Sequence, residues 1–341
     1  MLQDFFIKNI KEKKKYNLGK KNKNKIFYII RRKFSPSGLF SNLTFVINNL
    51  LYANKKTYIP FVDMQNFPTI YNEKRKINKT LNSWEYYFKQ VTNHKLKNIY
   101  NSANVIFSKG NFDKKFSKNL LHLINNPEAQ VIKKKYIKIL NIYLRISKKK
   151  IKSLFKKKKI LGVLIRGTTQ KIAINHELPI RFPDLEIIIK NIFDKEKCQK
   201  IFLVTEDFGY FNFLKKKFKN VILYNKSTRF FKNPFSIHSI NESDFYKKNN
   251  NNFRANLGKE ILIDMIMLSN CDILLSSDSN VSSAAIFFNN KITKHYLIRS
   301  DKNSSNRFLA RWLWYFKNYF PILFGSIKYK IVKKNLNYKS L

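Results

Sequence analysis

Short apolar runs alternate with apolar positions at helical spacing along most of the chain, a pattern typical of proteins built on parallel sheets. Residues 26–30 form an unbroken apolar run and predict a buried strand. A turn-rich loop over 35–41 follows, then helix-spaced apolar positions over 42–53, and residues 58–62 predict a second strand. The N-terminal part therefore predicts a strand, loop, helix, strand unit.

The same alternation returns after Lys159. The predicted strands are 160–165, 200–204, 221–224, 272–276 and 296–298, and the predicted helices are 184–193, 211–218, 258–269 and 281–288. Strands at this spacing, with helices between them, predict a doubly wound sheet.

A dense run of lysines over 148–159 marks the best domain boundary, because the periodicity changes directly after it. The segment 114–158 is expected to be helical. Four regions are predicted: a mobile basic arm (1–25), an α/β domain (26–155), a Rossmann-like domain (156–305) and a basic, aromatic tail (306–341). The tail has two interpretations, a final helix packed back over the first domain or a membrane-surface anchor with aromatic residues at head-group depth.

The net charge of the chain is large, but it alters the predicted function little. The 341 residues include 68 Lys and Arg against 21 Asp and Glu, a formal net charge of +47. Clustered charge would predict nucleic-acid binding, but these residues are spread along the chain, as expected when an AT-rich coding sequence enriches Lys, Asn and Ile together. We expect no specific nucleic-acid partner and keep such binding as the least favoured alternative. The positive field still attracts anionic lipids, nucleotides and acidic glycans.

The cysteines and the N-terminus suggest the compartment. Cys198 and Cys271 are far apart in sequence, which argues against a disulfide framework and fits a reducing environment. The first residues lack the long apolar core of a signal peptide, and no apolar run approaches the ~20 residues of a membrane span. We expect a cytoplasmic protein, peripheral on the inner face of the membrane if the tail is an anchor.

Candidate chemistry follows three strands of the predicted second sheet. Arg166 and Thr168 come after the first of these strands, Thr205 and Glu206 after the next, and residues 276–280 lead from a later strand into a helix. Ligands of open parallel sheets bind at these strand ends, beside helix N-termini that offer backbone donors. The set predicts a phosphate site with one guanidinium and one hydroxyl-rich helix entrance.

Arg166 is the strongest candidate, because a guanidinium can stabilise the negative charge that grows on a diphosphate leaving group. Its alternative is a structural pair with Asp264 or Glu206. Ser279 and Asn280 could contact the same phosphates, although an ordinary helix cap explains Ser279 as well.

Four further positions complete the candidate list. Gly38 would let its backbone approach a ligand, or is a plain turn glycine. His176 and Glu177 are the nearest candidates for a general base that deprotonates an acceptor hydroxyl. His238 is a candidate for a nucleobase or ribose contact, or is an ordinary surface histidine. No P-loop, GxGxxG or metal-binding Asp-x-Asp occurs at a strand end, so no cofactor and no metal are expected.

Several segments occur in the order seen in a known family. They are Gly38–Ser41, Tyr58–Met64, Trp84–Phe88, Leu161–Thr168, Ile201–Asp207 and Asp264–Ser279. In these residues the chain resembles the bacterial fucosyltransferase-like proteins of polysaccharide synthesis, relatives of the α-1,6-fucosyltransferase and nodulation fucosyltransferase group. The resemblance covers roughly residues 34–300.

The resemblance implies a two-domain GT-B-like fold, with an acceptor-side first domain and a nucleotide-sugar site at the strand ends of the second. It implies an inverting, metal-independent glycosyltransferase that moves a sugar, fucose from GDP-fucose, onto a polysaccharide or lipid-linked glycan. Arg166 then resembles the family's diphosphate-binding arginine, Glu206 and Asp264 its guanosine or structural carboxylates, and Ser279 its phosphate-contacting serine.

One departure from the family leaves an alternative. Thr169 and Gln170 stand where the family usually has a carboxylate and an aromatic or basic residue. Either the donor differs, or activity is reduced, or Glu177 substitutes for the missing carboxylate. The alternative function is a catalytically degenerate family member that binds a nucleotide or a glycan without turnover.

Overall fold

The computed structural model describes residues 10–11, 14–33, 37–111, 119–225, 252–289 and 291–336. The chain divides into two compact units, Met1–Leu144 with Tyr246–Leu262 and Arg145–Phe245 with Ile263–Leu341. The division falls inside the helix Asn141–Phe155, whereas the sequence placed the boundary at the end of that helix. Each unit has its own sheet with mostly parallel strands, and the predicted α/β class with two Rossmann-like sheets is confirmed.

The first unit contains four strands in its described residues, β1 (Lys15–Tyr16), β2 (Phe27–Ile30), β3 (Ile59–Val62) and β4 (Val105–Phe107). They are arranged in the order β1-β4-β2-β3, parallel except for the pairing of β1 with β4. All four residues of β2 are buried, because this strand lies between two neighbours in the sheet. The predicted strands at 26–30 and 58–62 are confirmed. β4 was missed because a run of three apolar residues is too short to show a period.

The helices of this part are α1 (Leu39–Lys55), α2 (Leu96–Ile99), α3 (Leu120–Leu123), α4 (Pro127–Tyr136) and α5 (Asn141–Phe155), with a 3-10 turn at Ser83–Tyr86. The segment 114–158, predicted to be helical, is mostly helical where the structure describes it, from 119 onward, but it consists of three separate helices. The side chain of Asn126 accepts a hydrogen bond from Ala129 N and begins α4, so the chain is broken into three helices.

The predicted mobile arm, 1–25, also needs correction in its described part. β1 pairs with β4, and the backbone N–H of Lys21 donates to the carbonyl of Asn101 at 2.9 Å. Residues 14–25 therefore belong to the edge of the first sheet. Residues 1–9 and 12–13 lie outside the described ranges.

The second unit has a six-stranded sheet in the order β10-β9-β8-β5-β6-β7. Its strands are β5 (Ile160–Leu164), β6 (Lys200–Val204), β7 (Ile222–Leu223), β8 (Ile273–Ser277), β9 (Lys294–Ser300) and β10 (Tyr329–Asn335). All neighbours are parallel except β10, which is antiparallel to β9. The five predicted strands of this region are confirmed. β10 was missed because its residues are largely exposed, so it lacks the buried apolar positions that mark a strand in a sequence.

The helices after β5 are α6 (Phe182–Lys195), α7 (Phe208–Lys217), α8 (Phe253–Leu268), α9 (Asn280–Phe287), α10 (Arg307–Tyr319) and α11 (Pro321–Phe324), with a 3-10 turn at Thr168–Lys171. The final long helix, α10, packs on the core of the second unit through Trp314, which is fully buried. The sequence had placed such a helix on the first domain. No helix in the described residues is long and apolar enough to cross a bilayer.

Candidate functional site

Parallel pairing brings the ends of β5, β6 and β8 to one edge of the second sheet. Leu164, at the end of β5, is paired with Val204 of β6 and with Ser276 of β8. The loops that follow these strands therefore lie side by side, where open α/β sheets bind their ligands. The predicted site residues in these loops are Arg166, Thr168, Thr205, Glu206, Ser279 and Asn280.

Two carboxylates after β6 bind the backbone of the loop after β5. Glu206 Oε1 accepts hydrogen bonds from Gly167 N and from the Thr168 hydroxyl, both at 3.2 Å. Asp207 Oδ2 accepts from Thr168 N at 2.8 Å, and the Thr205 hydroxyl accepts from Asp207 N at 3.1 Å. Thr168 and Thr205 are buried, so the structure places both hydroxyls inside this loop network.

Gly167 is required by this close approach. A Cβ built at Gly167 would lie 2.4 Å from Asp207 Oδ2 and 2.5 Å from Asp207 Cγ, distances that real Cβ atoms do not show. Asp207 cannot easily retreat, because its other oxygen accepts from Gly209 N and Tyr210 N and caps α7. The loop after β5 is therefore fixed against the start of α7.

Lys171 and Trp314 are two further buried residues that belong to this loop network. Lys171 Nζ lies 2.6 Å from Asp207 Oδ2 in a pair whose side chains are only 9% and 5% exposed. The ammonium group also lies 4.2 Å from the centre of a Trp314 ring, and the indole N–H donates to the carbonyl of Pro179 at 2.8 Å. Sequence reasoning missed both residues, because no local pattern connects position 171 with position 314.

Arg166 lies at the exposed edge of this loop network. Its side chain is 35% exposed, and its Nε is 3.9 Å from Glu206 Oε1, the only ion pair that the structure gives it among the described residues. Of the two structural partners considered from the sequence, Glu206 is therefore the one in reach. An ion pair this long and this exposed contributes little to stability, so the guanidinium remains available to an anionic ligand.

A narrow cleft of about 10 Å³, room for about one water molecule, lies beside Arg166. It is lined by Ile165, Arg166, Gln170, Glu177, Leu178, Pro179, Ile180, Ser277, Ile298 and Ser300. The Ser277 Oγ is buried and has no hydrogen-bond partner in the described part of the chain. An unsatisfied buried hydroxyl costs free energy, so a ligand oxygen or a water at this point would stabilise it. Gln170 and Ser277 lie in two of the strand-end segments selected from the sequence but were not named individually, and Ser300 was not predicted at all.

Glu177 and His176 are separated by the structure. Glu177 lines the cleft, and its carboxylate accepts a hydrogen bond from Arg299 Nη1 at 3.0 Å. Arg299 also donates to Asp278 at 2.6 Å and so connects the loop after β5 with the loop after β8. The His176 side chain is exposed and does not line the cleft. Glu177 is therefore the better placed of the two candidate bases.

The helix after β8 begins at the same edge of the sheet. The Ser279 hydroxyl accepts from Ser282 N at 3.1 Å and acts as the cap of α9, which agrees with the ordinary-cap interpretation of this side chain. Asn280 is exposed at the first position of the helix. The first backbone N–H groups of a helix have no partner within it and favour an anion, so the backbone there suits a phosphate better than the Ser279 hydroxyl does.

Two predicted residues lie elsewhere. Asp264 is buried on α8, and its Oδ1 accepts from Asn225 Nδ2 at 2.5 Å, just after β7. Gly38 begins α1 in the first unit with an ordinary φ of −65°, and a Cβ there would meet only the Tyr71 hydroxyl at 3.9 Å. Nothing in its geometry requires glycine. His238 lies outside the described residues.

A roomier cleft lies in the first unit at the start of β3, beside Tyr58, Lys135 and Tyr136. It lies at the N-terminal end of a parallel strand, the opposite end from the one where such sheets bind ligands, and we assign it no role. In the described ranges, no group of three or more His, Cys, Asp or Glu side chains could hold a metal ion.

No protein family profile and no curated protein matches this sequence. Among solved structures the chain is similar to the NodZ α-1,6-fucosyltransferase soaked with GDP-fucose, at 15% identity and a TM-score of 0.48 over 81% of this chain and 95% of that one. It is also similar to a variant of Arabidopsis thaliana FUT1 in complex with GDP (10% identity, TM-score 0.47, 82% and 72% covered) and to apo POFUT1 (8%, 0.39, 76% and 94%). At these identities the similarity concerns the fold alone.

Proposed function

We propose that the second unit binds the diphosphate of a nucleotide sugar at the ends of β5, β6 and β8 and that the protein is a glycosyltransferase. The observation that carries this proposal is Arg166, an arginine held at the end of a central strand and still one-third exposed beside a cleft. Guanidinium groups bind diphosphates through paired, charge-assisted hydrogen bonds. The start of α9 faces the same edge and would add backbone donors.

The chemistry follows from where charge develops. When the bond between the sugar and the diphosphate breaks, the bridging oxygen gains negative charge, and Arg166 together with the N-terminus of α9 would stabilise it. A positive group already in place can do this without a metal ion, which is why we propose metal-independent transfer. Attack by the acceptor on the opposite face of the sugar inverts the anomeric centre in a single displacement.

Glu177 is the proposed base that takes the proton from the acceptor hydroxyl. It lines the cleft on the side of Leu178 and Ser300, and Arg299 fixes its carboxylate. We expect Glu177→Gln to slow sugar transfer by about 100-fold or more, because the variant lacks the base. His176→Ala should change the rate by no more than a few-fold, because His176 is exposed outside the cleft. Equal losses in the two variants, or a larger loss in His176→Ala, would remove Glu177 from this role.

The donor is proposed as GDP-fucose and the acceptor as a polysaccharide or lipid-linked glycan, on the strength of the sequence resemblance. Glu206 and Asp264 receive positioning roles, since Glu206 binds the loop after β5 and Asp264 holds Asn225. Thr168 and Thr205 likewise shape the loop. The second candidate, a nucleotide-binding protein without turnover, is favoured by Thr169, which stands where the family has a carboxylate.

Calorimetric titration with GDP, UDP and GDP-fucose tests the proposal. We expect GDP to bind more tightly than UDP and Arg166→Ala to weaken GDP binding by about 10- to 100-fold, the value of one or two charge-assisted hydrogen bonds. Arg145→Ala is the matched control, because Arg145 is an exposed arginine on α5 that lies outside the cleft.

The possible outcomes separate the two candidates. GDP binding that depends on Arg166, together with GDP release from GDP-fucose in the presence of glycan acceptors, supports the transferase. Arg166-dependent binding without turnover on any acceptor supports the degenerate binding protein. A folded wild-type protein that binds none of the three nucleotides refutes both.

A further inference from the structure

The outer face of α10 carries a row of aromatic side chains that the fold of the second unit does not use. Phe308, Trp312 and Phe316 follow one another at intervals of one helical turn, and they are 70%, 50% and 37% exposed. The short helix α11 continues the row. We call the set Phe308, Trp312, Phe316, Ile322, Leu323 and Phe324 the aromatic ridge.

The ridge is an ordered surface. The Trp312 and Phe316 rings are stacked with their centres 6.5 Å apart, and Phe324 of α11 stacks on Phe316 at 4.7 Å. Ile322 and Leu323 project furthest, with 96% and 78% of their surface exposed. Contiguous apolar surface of this kind marks an interaction site, whereas single exposed apolar residues are normal on any protein.

The opposite face of α10 packs into the core of the second unit. Ala310 and Trp314 are fully buried there, and Trp314 packs among the residues that support the loop after β5. The helix therefore does not need its outer aromatic residues for folding. Exposing them to water is unfavourable, so a partner that covers them would be stabilised by the contact.

The charge around the ridge indicates what covers it. Residues 302–336 contain eight Lys and Arg and no Asp or Glu. Arg307 and Arg311 are exposed on α10 itself. Aromatic and aliphatic side chains with flanking basic residues are the composition of helices that lie in the interface of anionic bilayers, with the rings at head-group depth.

We infer that the aromatic ridge is a peripheral docking surface for an anionic lipid membrane, with Ile322 and Leu323 inserted furthest. The rings of Trp312 and Phe316 lie at the level of the head groups, and Arg307 and Arg311 contact lipid phosphates. This contact does not depend on the transferase activity proposed above and is tested by binding alone.

Co-flotation with vesicles of phosphatidylcholine, and of phosphatidylcholine mixed with phosphatidylglycerol, tests the inference on the full chain. The wild type is expected to float with the anionic vesicles and not with the neutral ones. Ile322→Ser combined with Leu323→Ser should reduce the partition by about 10-fold or more, since both side chains then lose their apolar contact. Both positions are exposed, so folding should be unaffected.

A matched control removes two exposed apolar residues elsewhere. Val131 and Ile187 are 58% and 56% exposed on α4 and α6, and the double variant Val131→Ser, Ile187→Ser should float like the wild type. Tryptophan emission gives a second measurement. Of the three tryptophans only Trp312 is exposed, so a blue shift on adding anionic vesicles should occur in the wild type and disappear in Trp312→Phe.

Three outcomes overturn the inference. Wild-type protein that does not float with anionic vesicles at about 0.1 M salt has no such surface. Flotation that the Ile322, Leu323 variant retains in full is adsorption by the overall charge of the chain. A dimer in light scattering that this variant converts to a monomer, without any flotation of the wild type, means that a second copy of the chain covers the ridge.

Discussion

Replacement of Gly167 by alanine tests the geometry on which the candidate site depends. The added Cβ would lie 2.4–2.5 Å from three atoms of Asp207, well inside van der Waals contact. Either the loop after β5 or the Asp207 side chain must therefore move. A shift of Asp207 weakens its bonds to Thr168 N, Gly209 N and Tyr210 N at once.

The expected cost combines two effects. Overpacking of a close contact costs about 1–3 kcal/mol, and loss of a helix cap adds about 1 kcal/mol, so Gly167→Ala should lower the free energy of unfolding by about 2–4 kcal/mol. It should also weaken nucleotide binding, because Arg166 is the preceding residue. Urea unfolding followed by circular dichroism measures the first effect, and calorimetric titration with GDP measures the second.

Gly38→Ala is the matched control for stability. The nearest atom to its new Cβ is 3.9 Å away, but Gly38 is the N-cap of α1, where alanine is less favourable than glycine, so we expect a loss of about 0.5–1 kcal/mol, well below that of Gly167→Ala. The reasoning is refuted if Gly167→Ala unfolds at the same urea concentration as the wild type, since Asp207 would then not pack against the loop as described.

Three further predictions concern the second unit. Burial lowers the pKa of His295 to about 4, below the 6.5 of an exposed histidine. The free energy of unfolding should therefore fall by up to about 3 kcal/mol as pH drops from 6.5 to 4, and in urea titrations His295→Gln should flatten that pH dependence. Lys171→Met leaves the buried Asp207 unpaired and should cost about 3–5 kcal/mol in unfolding experiments, whereas Lys215→Met at an exposed position should be close to neutral. Trp314→Phe keeps a ring above Lys171 but leaves one backbone carbonyl without its donor, and should lower the melting temperature in calorimetry by the equivalent of about 1–3 kcal/mol without changing vesicle binding.

The elements that could be predicted are those whose signal is local. Strands β2, β5, β6 and β8 lie between other strands and β3 lies at a sheet edge, but all five are short apolar runs, and such runs are visible in any sequence. β10 is different, because it is an edge strand whose lysines face water, and only its pairing with β9 makes it a strand. β1 and β4 consist of two and three residues, too few to show a period.

The residues of the candidate site also differ in whether their signal is local in the sequence. Arg166, Glu206 and Ser279 could be found because strand ends in a parallel sheet meet at one edge, whatever the rest of the fold does. The roles of Lys171 and Trp314 could not be found, because their contact joins positions more than a hundred residues apart. The sequence also gave no sign that His176 and Glu177, which are adjacent in the chain, would differ in their access to the cleft.

The aromatic tail shows why periodicity alone left two interpretations open. A helix that is apolar on one side predicts core packing, and a helix with aromatic and basic residues on one side predicts a membrane interface. α10 has both faces: Ala310 and Trp314 point to the core of the second unit, while Phe308, Trp312 and Phe316 lie on the outside. The inner face therefore packs on the second unit, whereas the core-packing interpretation had placed it over the first domain, and a membrane contact of the outer face stays a proposal. Because Trp314 on the inner side contacts Lys171, next to the loop that carries Arg166, a membrane contact through the outer side would involve a helix that touches the proposed donor site.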